Sequence, residues 1–380
     1  MRVRLGDYIK EYSVKNKNNE DIPVYSVSNS LGFCKDYFGK EVASKNKTTY
    51  KIVPRGCFAY NPSRINVGSV DWQNEEERVI VSPLYNVFSI SPLLDQQYLL
   101  YYLKSNVTLA RIKAVASGSV RDNLKLSMLY EFPIDLISLD QQYEVVSILN
   151  AIQKIIDLYQ KELSGLDELV RARFVEMFGD PLRNNMLWNT DVLKDICTKI
   201  GSGSTPRGGK ESYIDEGISL IRSMNVHNAY FEYKDLAHIT LDQAEKLNNV
   251  VVEHDDVLFN ITGASVARCC VVPSDVLPAR VNQHVCILRC REKINPIFLQ
   301  GLLVNENYQG KLLQIAKSGA TREAINKQQL ESLEIMLPPL ELQNQFATFV
   351  QEIDKSRSRI QKSLEASQEL FDSLMQEYFG

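Results

Sequence analysis

Few residues in this chain are placed to do chemistry. The run Gly201-Ser202-Gly203-Ser204-Thr205-Pro206-Arg207-Gly208-Gly209-Lys210-Glu211 resembles a phosphate loop but fails its spacing. Ser204 stands where the first glycine belongs, and Glu211 where Ser or Thr would hold magnesium, so a flexible turn is the better reading. An adenine methyltransferase would carry an Asn/Asp-Pro-Pro-aromatic loop. Asn61-Pro62-Ser63-Arg64 and Asn295-Pro296-Ile297-Phe298 both lack the second proline. Cys269, Cys270, Cys286 and Cys290 form no C-x-x-C knuckle, and their Val/Ile context reads as strand and not as a zinc site. His227, His238, His254 and His284 show no H-E-x-x-H or paired spacing and read as structural or surface residues. No catalytic set, metal site or cofactor site is expected.

What remains are polar side chains beside turns. One group is Tyr60, Asn61, Ser63, Arg64 and Asn66, surrounded by Lys35, Lys40, Lys45, Lys47, Lys51 and Arg55. Interleaved Tyr and Lys favour contact with phosphates and bases. A second group is Asn260, Thr262, Ser265 and Arg268, with Arg207, Arg222, Asn225, Asn282 and Gln283 as further candidates. Arg121 and Arg322 join the set as matched members of a repeat. Arg and Asn/Gln are the side chains that read the edges of guanine and adenine in pairs of hydrogen bonds. For each residue taken singly, an ordinary solvated loop is the alternative.

These loops need a frame, and the frame is doubled. Ser117-Gly118-Ser119-Val120-Arg121 matches Ser318-Gly319-Ala320-Thr321-Arg322 at an offset of 201. The same offset, without a gap, carries Leu129 onto Leu330, Ile134 onto Ile335, Gln142 onto Gln343 and Lys154 onto Lys355. It ends with Glu176-Met177-Phe178-Gly179 on Glu377-Tyr378-Phe379-Gly380. Upstream the match needs gaps, as in Arg4-Leu5-Gly6-Asp7-Tyr8-Ile9 against Val192-Leu193-Lys194-Asp195-Ile196. Each half is a diverged front of roughly 140 residues followed by a similar back of about 40. Such a distribution suits two fronts doing one kind of job on different targets.

Each back predicts a long helix with a heptad seam. The first seam runs Val145, Leu149, Ile152, Ile156, Tyr159, Leu163, Leu166, Val170 and Met177, with Arg173 in the one missing place. The second runs Phe346, Val350, Ile353, Ile360, Leu364, Phe371, Leu374 and Tyr378, interrupted by Arg357 and Ser367. Pro133 and Pro338-Pro339 lie just ahead, and Gly179-Asp180-Pro181 closes the first helix. The two seams most simply bury each other; the alternative is that each packs on its own front. The fronts are punctuated by short strand-like runs such as Ile22–Val27, Arg78–Val81, Val250–Val252 and Val285–Leu288. Helical stretches, Gln96–Lys104 and Pro296–Asn305, lie between them.

The expected fold is α+β: two mixed α/β recognition domains joined by two long antiparallel helices, an intramolecular coiled coil with an internal pseudo-two-fold repeat. The expected divisions are 1–138, 139–180, 181–338 and 339–380. At 380 residues and a net charge of −4, the chain lacks the basic surplus of a general nucleic-acid binder. The acid is concentrated in 140–180 and 341–380, which together carry −7 and leave the remainder at +3. The seven cysteines and the absence of an apolar leader point to a reduced cytoplasm and not to a disulfide framework.

In this order and in this doubled plan, the chain resembles the specificity subunit of a type I restriction–modification system. The marks are Leu337-Pro338-Pro339-Leu340-Glu341-Leu342-Gln343-Asn344-Gln345, its weaker copy Leu136-Ile137-Ser138-Leu139-Asp140-Gln141-Gln142, and the loops Phe58–Gly68, Gly201–Pro206, Asp256–Ser265 and Asn282-Gln283-His284. The first back departs from the family pattern with Ile137-Ser138-Leu139 where Leu-Pro-Pro-Leu is usual. The resemblance implies a non-catalytic DNA-recognition protein of a bacterial or archaeal cytoplasm. Each front would read one half of a split duplex site, as one target-recognition domain. The helices would space the fronts and dock two modification (methyltransferase) subunits. A restriction/translocation subunit would join them for cleavage. S-adenosylmethionine, ATP and magnesium would belong to those partners, and no membrane is implied.

Overall fold

The computed structural model describes residues 1–35, 46–116, 123–206, 208–317 and 323–380, which fall into two units. The first unit takes residues 1–160 and 361–380. Its strands are β1 (Arg2–Arg4), β2 (Ile9–Glu11), β3 (Ser26–Ser28), β4 (Gly32–Cys34), β5 (Lys51–Pro54), β6 (Phe58–Tyr60), β7 (Val70–Trp72), β8 (Arg78–Val81), β9 (Asn86–Ile90) and β10 (Pro133–Asp135). Its helices are α1 (Gln96–Lys104), α2 (Asn106–Ala116), α3 (Leu126–Leu129) and the first half of α4 (Leu139–Phe178). The main sheet has the order β2-β9-β6-β7, β1 pairs with β10, and two short ladders, β3-β4 and β5-β8, complete the front.

The second unit, residues 161–360, repeats this plan. It holds β11 (Asn189–Val192), α5 (Leu193–Ile196), β12 (Cys197–Ser202), β13 (Ile218–Ile221), β14 (Ala237–Ile239), α6 (Leu241–Glu245), β15 (Val251–Val252), β16 (Val257–Asn260), β17 (Cys269–Val271), β18 (Ala279–Val281) and β19 (Val285–Cys290). Then come α7 (Pro296–Leu303), α8 (Glu306–Lys317), α9 (Lys327–Glu331), β20 (Glu334–Leu337) and the first half of α10 (Leu340–Phe379). The order β12-β19-β16-β17 matches that of the first unit, and β11 pairs with β20 as β1 does with β10. The second sheet differs in how fully it is formed. Here it is a four-stranded β14-β13-β18-β15, where in the first unit β3-β4 and β5-β8 are joined by a single parallel bridge between Val24 and Ile80.

Local chemistry explains the helix limits. Asp95 caps α1 by accepting from Tyr98 N at 2.9 Å, and Asn295 caps α7 by accepting from Ile297 N at 2.9 Å, with Pro296 at the first helical place. The start of α4 lacks prolines but is built as a capping box: Ser138 Oγ accepts from Gln141 N, and Gln141 Oε1 accepts from Ser138 N at 3.1 Å. Thus Ile137-Ser138-Leu139 starts a helix by a different device from Pro338-Pro339. Gly179 ends α4 with φ +77, a backbone conformation glycine adopts without a Cβ clash.

The helix pair behaves differently from either simple expectation, because each helix segment packs on its partner and on a front at once. In the first unit Val145 and Leu149 share a core with Phe58, Tyr98 and Leu103, and Phe379 lies 5.1 Å from the Tyr98 ring. In the second unit Phe174 and Phe178 meet Phe346 of α10 and Phe298 of α7. The helix segments run antiparallel there, since Asp167 pairs with Arg357 while Phe174 meets Phe346. The seam also shifts at its end. Phe174 and Phe178 are buried where the heptad placed Arg173 and Met177. A straight helix drifts about 20° per heptad, so over a long helix the buried stripe moves on by one residue.

All seven cysteines are unpaired thiols. Among the described residues no three His, Cys, Asp or Glu side chains converge as a metal site requires, and no helix is long and apolar enough to cross a membrane.

Candidate nucleic-acid interface

The best-formed polar cluster is in the second unit, where three loops leave the main sheet together. β12 runs into the glycine-rich loop, whose Gly203 N donates to Asn282 O at 3.0 Å. Thr205 Oγ1 donates to Gln283 Oε1. Gln283 Nε2 lies 3.1 Å from His284 Nε2, and His284 Nδ1 lies 2.6 Å from Thr262 Oγ1. A neutral imidazole protonated on Nδ1 satisfies this chain, donating to Thr262 and accepting from Gln283. Asn282 Oδ1 accepts from His284 N at 3.0 Å and Ile261 N donates to His284 O at 2.9 Å, which fixes the turn. Thr205 and Gln283 are exposed at the outer end of this chain. The result is a rigid carboxamide and hydroxyl presented to solvent, the kind of groups that contact bases and phosphates.

A second feature stands beside the strand end. His227 and Tyr230 stack with ring centroids 4.6 Å apart, and Arg268 Nη1 lies 3.4 Å from His227 Nδ1. Tyr230 is exposed, so the stack offers an aromatic face next to a cation. Ser265 follows in the same turn, half-buried.

In the first unit the corresponding turn is Asn61-Pro62-Ser63-Arg64. Asn61 Oδ1 accepts from Ser63 N at 3.1 Å and from Ser63 Oγ at 2.9 Å. Leu124 N donates to Pro62 O, just as Ile325 N donates to Ile261 O in the other unit. Ser63 and Arg64 are exposed, and Asn66 is half-buried with its Oδ1 enclosed and without a partner among the described residues. Most nearby cations already have internal partners. Lys35 pairs with Glu76, Lys47 with Asp21, Lys51 donates to Tyr85 O, and Arg55 donates to the carbonyls of Glu75 and Glu76.

Several residues expected at a surface are structural. Tyr60 is fully buried, and its hydroxyl donates to Leu124 O and accepts from Asn86. Desolvation pushes its phenol well above the usual range. Its place at the end of β6 matches Phe259 in β16, so the ring belongs to the core. Asn225 is buried and holds a turn: it accepts from Arg222 N and donates to the carbonyls of Glu232 and Lys234. Asn260 is buried and donates to Ser223 O and Val226 O. Asn282 is buried and supports the turn backbone. Arg222 lies over the Tyr213 ring and donates to Asp235 O. Sequence reading counted Asn and Arg as readers without seeing that turns need the same groups for their own backbone. Arg121, Arg207, Arg322, Lys40 and Lys45 lie outside the described residues.

Sequence reading does not single out Thr205, His227, Tyr230 and His284, which stand in this polar cluster. Thr205 and His284 lie inside motifs already singled out, so position within the motif was the available signal. The His227–Tyr230 stack had none, because it depends on a turn bringing the rings together.

The repeated strand order and paired loops define a duplicated two-unit module. A family model of the type I restriction modification DNA specificity domain matches twice, over residues 4–168 and 185–368, and the chain belongs to that family. It is 24% identical over 195 residues to a protein of Methanocaldococcus jannaschii assigned as the type I restriction enzyme MjaX specificity subunit. That match takes 50% of this chain and spans 45% of that relative's length, less than half of it. Two solved chains share the fold over the whole of this one. One belongs to a type I R-M system solved for its complex assembly and conformational transition, with TM-score 0.60, 17% identity and 97% of that chain covered. The other is the type I restriction-modification S subunit from M. genitalium, with TM-score 0.60, 14% identity and 96% covered.

Proposed function

We propose that the chain is the DNA sequence-specificity subunit of a type I restriction–modification complex and carries no chemistry of its own. The observation that carries this reading is the tandem family match, which falls on two units of the same strand order. Residues 1–138 and 181–338 each act as a target-recognition domain for one half of a bipartite duplex site. Residues 139–180 and 339–380 set the unread spacer and dock two modification subunits. Those partners bring S-adenosylmethionine and methylate adenine; a restriction subunit using ATP and magnesium adds cleavage. The chain works in the cytoplasm.

The contacts fall to Gln283, Thr262, Ser265 and Arg268 in the second domain and to Ser63, Arg64 and Asn66 in the first. Sequence reading alone adds Arg121, Arg207 and Arg322 to the contacts. The exposed Gln283 carboxamide supports adenine-edge reading, and Arg64 and Arg268 support guanine or phosphate contact. At roughly 1–3 kcal/mol per correct base pair, two modest readers on a fixed spacer discriminate far better than either alone.

Methylation-sensitive sequencing of a host with and without this chain tests the reading. A modified motif of two short blocks around a fixed gap supports it. Modification that is unchanged on deletion contradicts it, and methyl transfer by the isolated chain would make it an enzyme.

A further inference from the structure

A second feature of the second unit lies outside the loops just described. An open, polar depression of about 460 Å³ is lined by Lys194 after β11, by residues 197–202 of β12, and by Asn249, Arg291, Lys327 and Glu331. Four cations face it against one carboxylate, and Glu331 sits 3.5 Å from Lys327. Among the described residues no carboxylate forms an ion pair with Lys194, Lys199 or Arg291. Arg291 Nε donates to Cys197 O at 3.2 Å, which anchors its guanidinium at the rim. Burial first, and then the neighbouring Arg289, lower the Lys199 ammonium, with Asp256 and Glu253 pulling the other way. Ser202 and Asn249 add neutral hydrogen-bonding groups. The depression is built on β12, the strand that continues into the loop carrying Thr205.

The first unit keeps one of these four charges. Matched strand by strand, the places of Lys194, Lys199, Arg291 and Lys327 are taken by Gly6, Lys10, Ser91 and Leu126. The matches are fixed by shared bonds: Ser91 N to Tyr8 O corresponds to Arg291 N to Ile196 O, and Leu5 N to Phe132 O corresponds to Leu193 N to Leu333 O. Lys10 pairs with Ser89 as Lys199 pairs with Arg289. Leu126 is buried, so Lys10 is the one cation among the four matched places of the first unit. A purely structural role would not need three added cations on one copy of the fold.

We propose that this depression binds phosphate groups, and that on duplex DNA it holds backbone phosphodiesters beside the bases read by the second unit, a grip the first unit lacks. The inference rests on the DNA-recognition reading above, but it concerns the sequence-neutral part of binding. Lys and Arg contacts to phosphates release counterions, so each contributes about 0.9 to the slope of log affinity against log salt.

The test uses the full chain, a duplex of random sequence and inorganic pyrophosphate. Lys199→Gln/Arg291→Gln is the first variant. Lys194→Gln/Lys327→Gln is the second, and it touches no backbone bond that holds the fold. Lys10→Gln is the control from the first unit. Each double variant is expected to lower the salt slope by about 2, and the affinity by about three- to tenfold per cation near 0.1 M salt. The preference for target over random duplex, and the Lys10→Gln slope, should stay unchanged. Unchanged slopes in both double variants would overturn the proposal. Loss of pyrophosphate binding with an unchanged DNA slope would also overturn it, by assigning the site to a small phosphate ligand. Lowered slopes in a chain that prefers no sequence would support the phosphate site while sinking the DNA-reading role.

Discussion

Asp256 has no exposed surface, yet it is a carboxylate. Arg289 makes this tolerable by donating from Nε at 2.8 Å to one oxygen and from Nη2 at 2.9 Å to the other, while Glu253 N donates to Asp256 at 2.7 Å. Removing one partner of a buried pair strands the other charge. Arg289→Met should therefore destabilise the second unit by about 3–5 kcal/mol, read from the denaturant midpoint of the full chain. Thiols give a second check at this scale. Desolvation pushes Cys197, Cys270 and Cys286 up to about 12, and Cys269 and Cys290 well above their ordinary value. At pH 8 a thiol of pKa 12 is thiolate only about one part in ten thousand. A disulfide reagent at pH 8 should modify the half-exposed Cys34 well before the buried Cys197, Cys269, Cys270 and Cys286, which react only after unfolding. Individual residues were the least legible part of the sequence. Asn260 and Gln283 look alike as polar loop residues, and only the fold shows one buried against carbonyls and the other exposed.

At the scale of elements, the motif around Gln142 and Gln343 acquires a mechanical meaning. Gln343 accepts from Asn295 N at 2.9 Å and donates to Lys293 O and Pro338 O. Gln142 makes the same three bonds, to Asp95 N, Leu93 O and Ile137 O. Each buried carboxamide thus ties the start of a long helix to the turn before α7 or α1. Gln343→Leu should cost about 1–3 kcal/mol in a denaturant titration, because it leaves the enclosed Pro338 carbonyl without a partner and removes the bonds to Asn295 N and Lys293 O. Phe174→Ala should cost about 3–5 kcal/mol by emptying the ring cluster between α4, α7 and α10. The seam's polar break also has a partner. Arg357 Nη1 reaches Asp167 on the facing helix at 2.7 Å, an exposed pair that sets register more than stability. Helices were legible because their spacing repeats over many residues. The second sheets were not, because strands of two to four residues carry too little pattern to show that one unit joins them by a full parallel ladder and the other by a single bridge.

For the whole molecule, the gapless match between the backs at an offset of 201 residues is the fact that most constrains function. Both long helices have 40 residues, which equal lengths of unread spacer would require of a symmetric pair. Adding one heptad to both should lengthen the gap in the recognised site by about 10 Å, roughly three base pairs, and leave both half-sites intact. Replacing residues 1–138 with another front should change one half-site only. New letters in both half-sites, from either change, would count against independent readers. The most direct measurement is selection of bound duplexes from a random library by the full chain with its modification partner. Two short blocks separated by a fixed, unread gap are the predicted outcome; one contiguous motif, or no enrichment at all, would contradict a doubled reader.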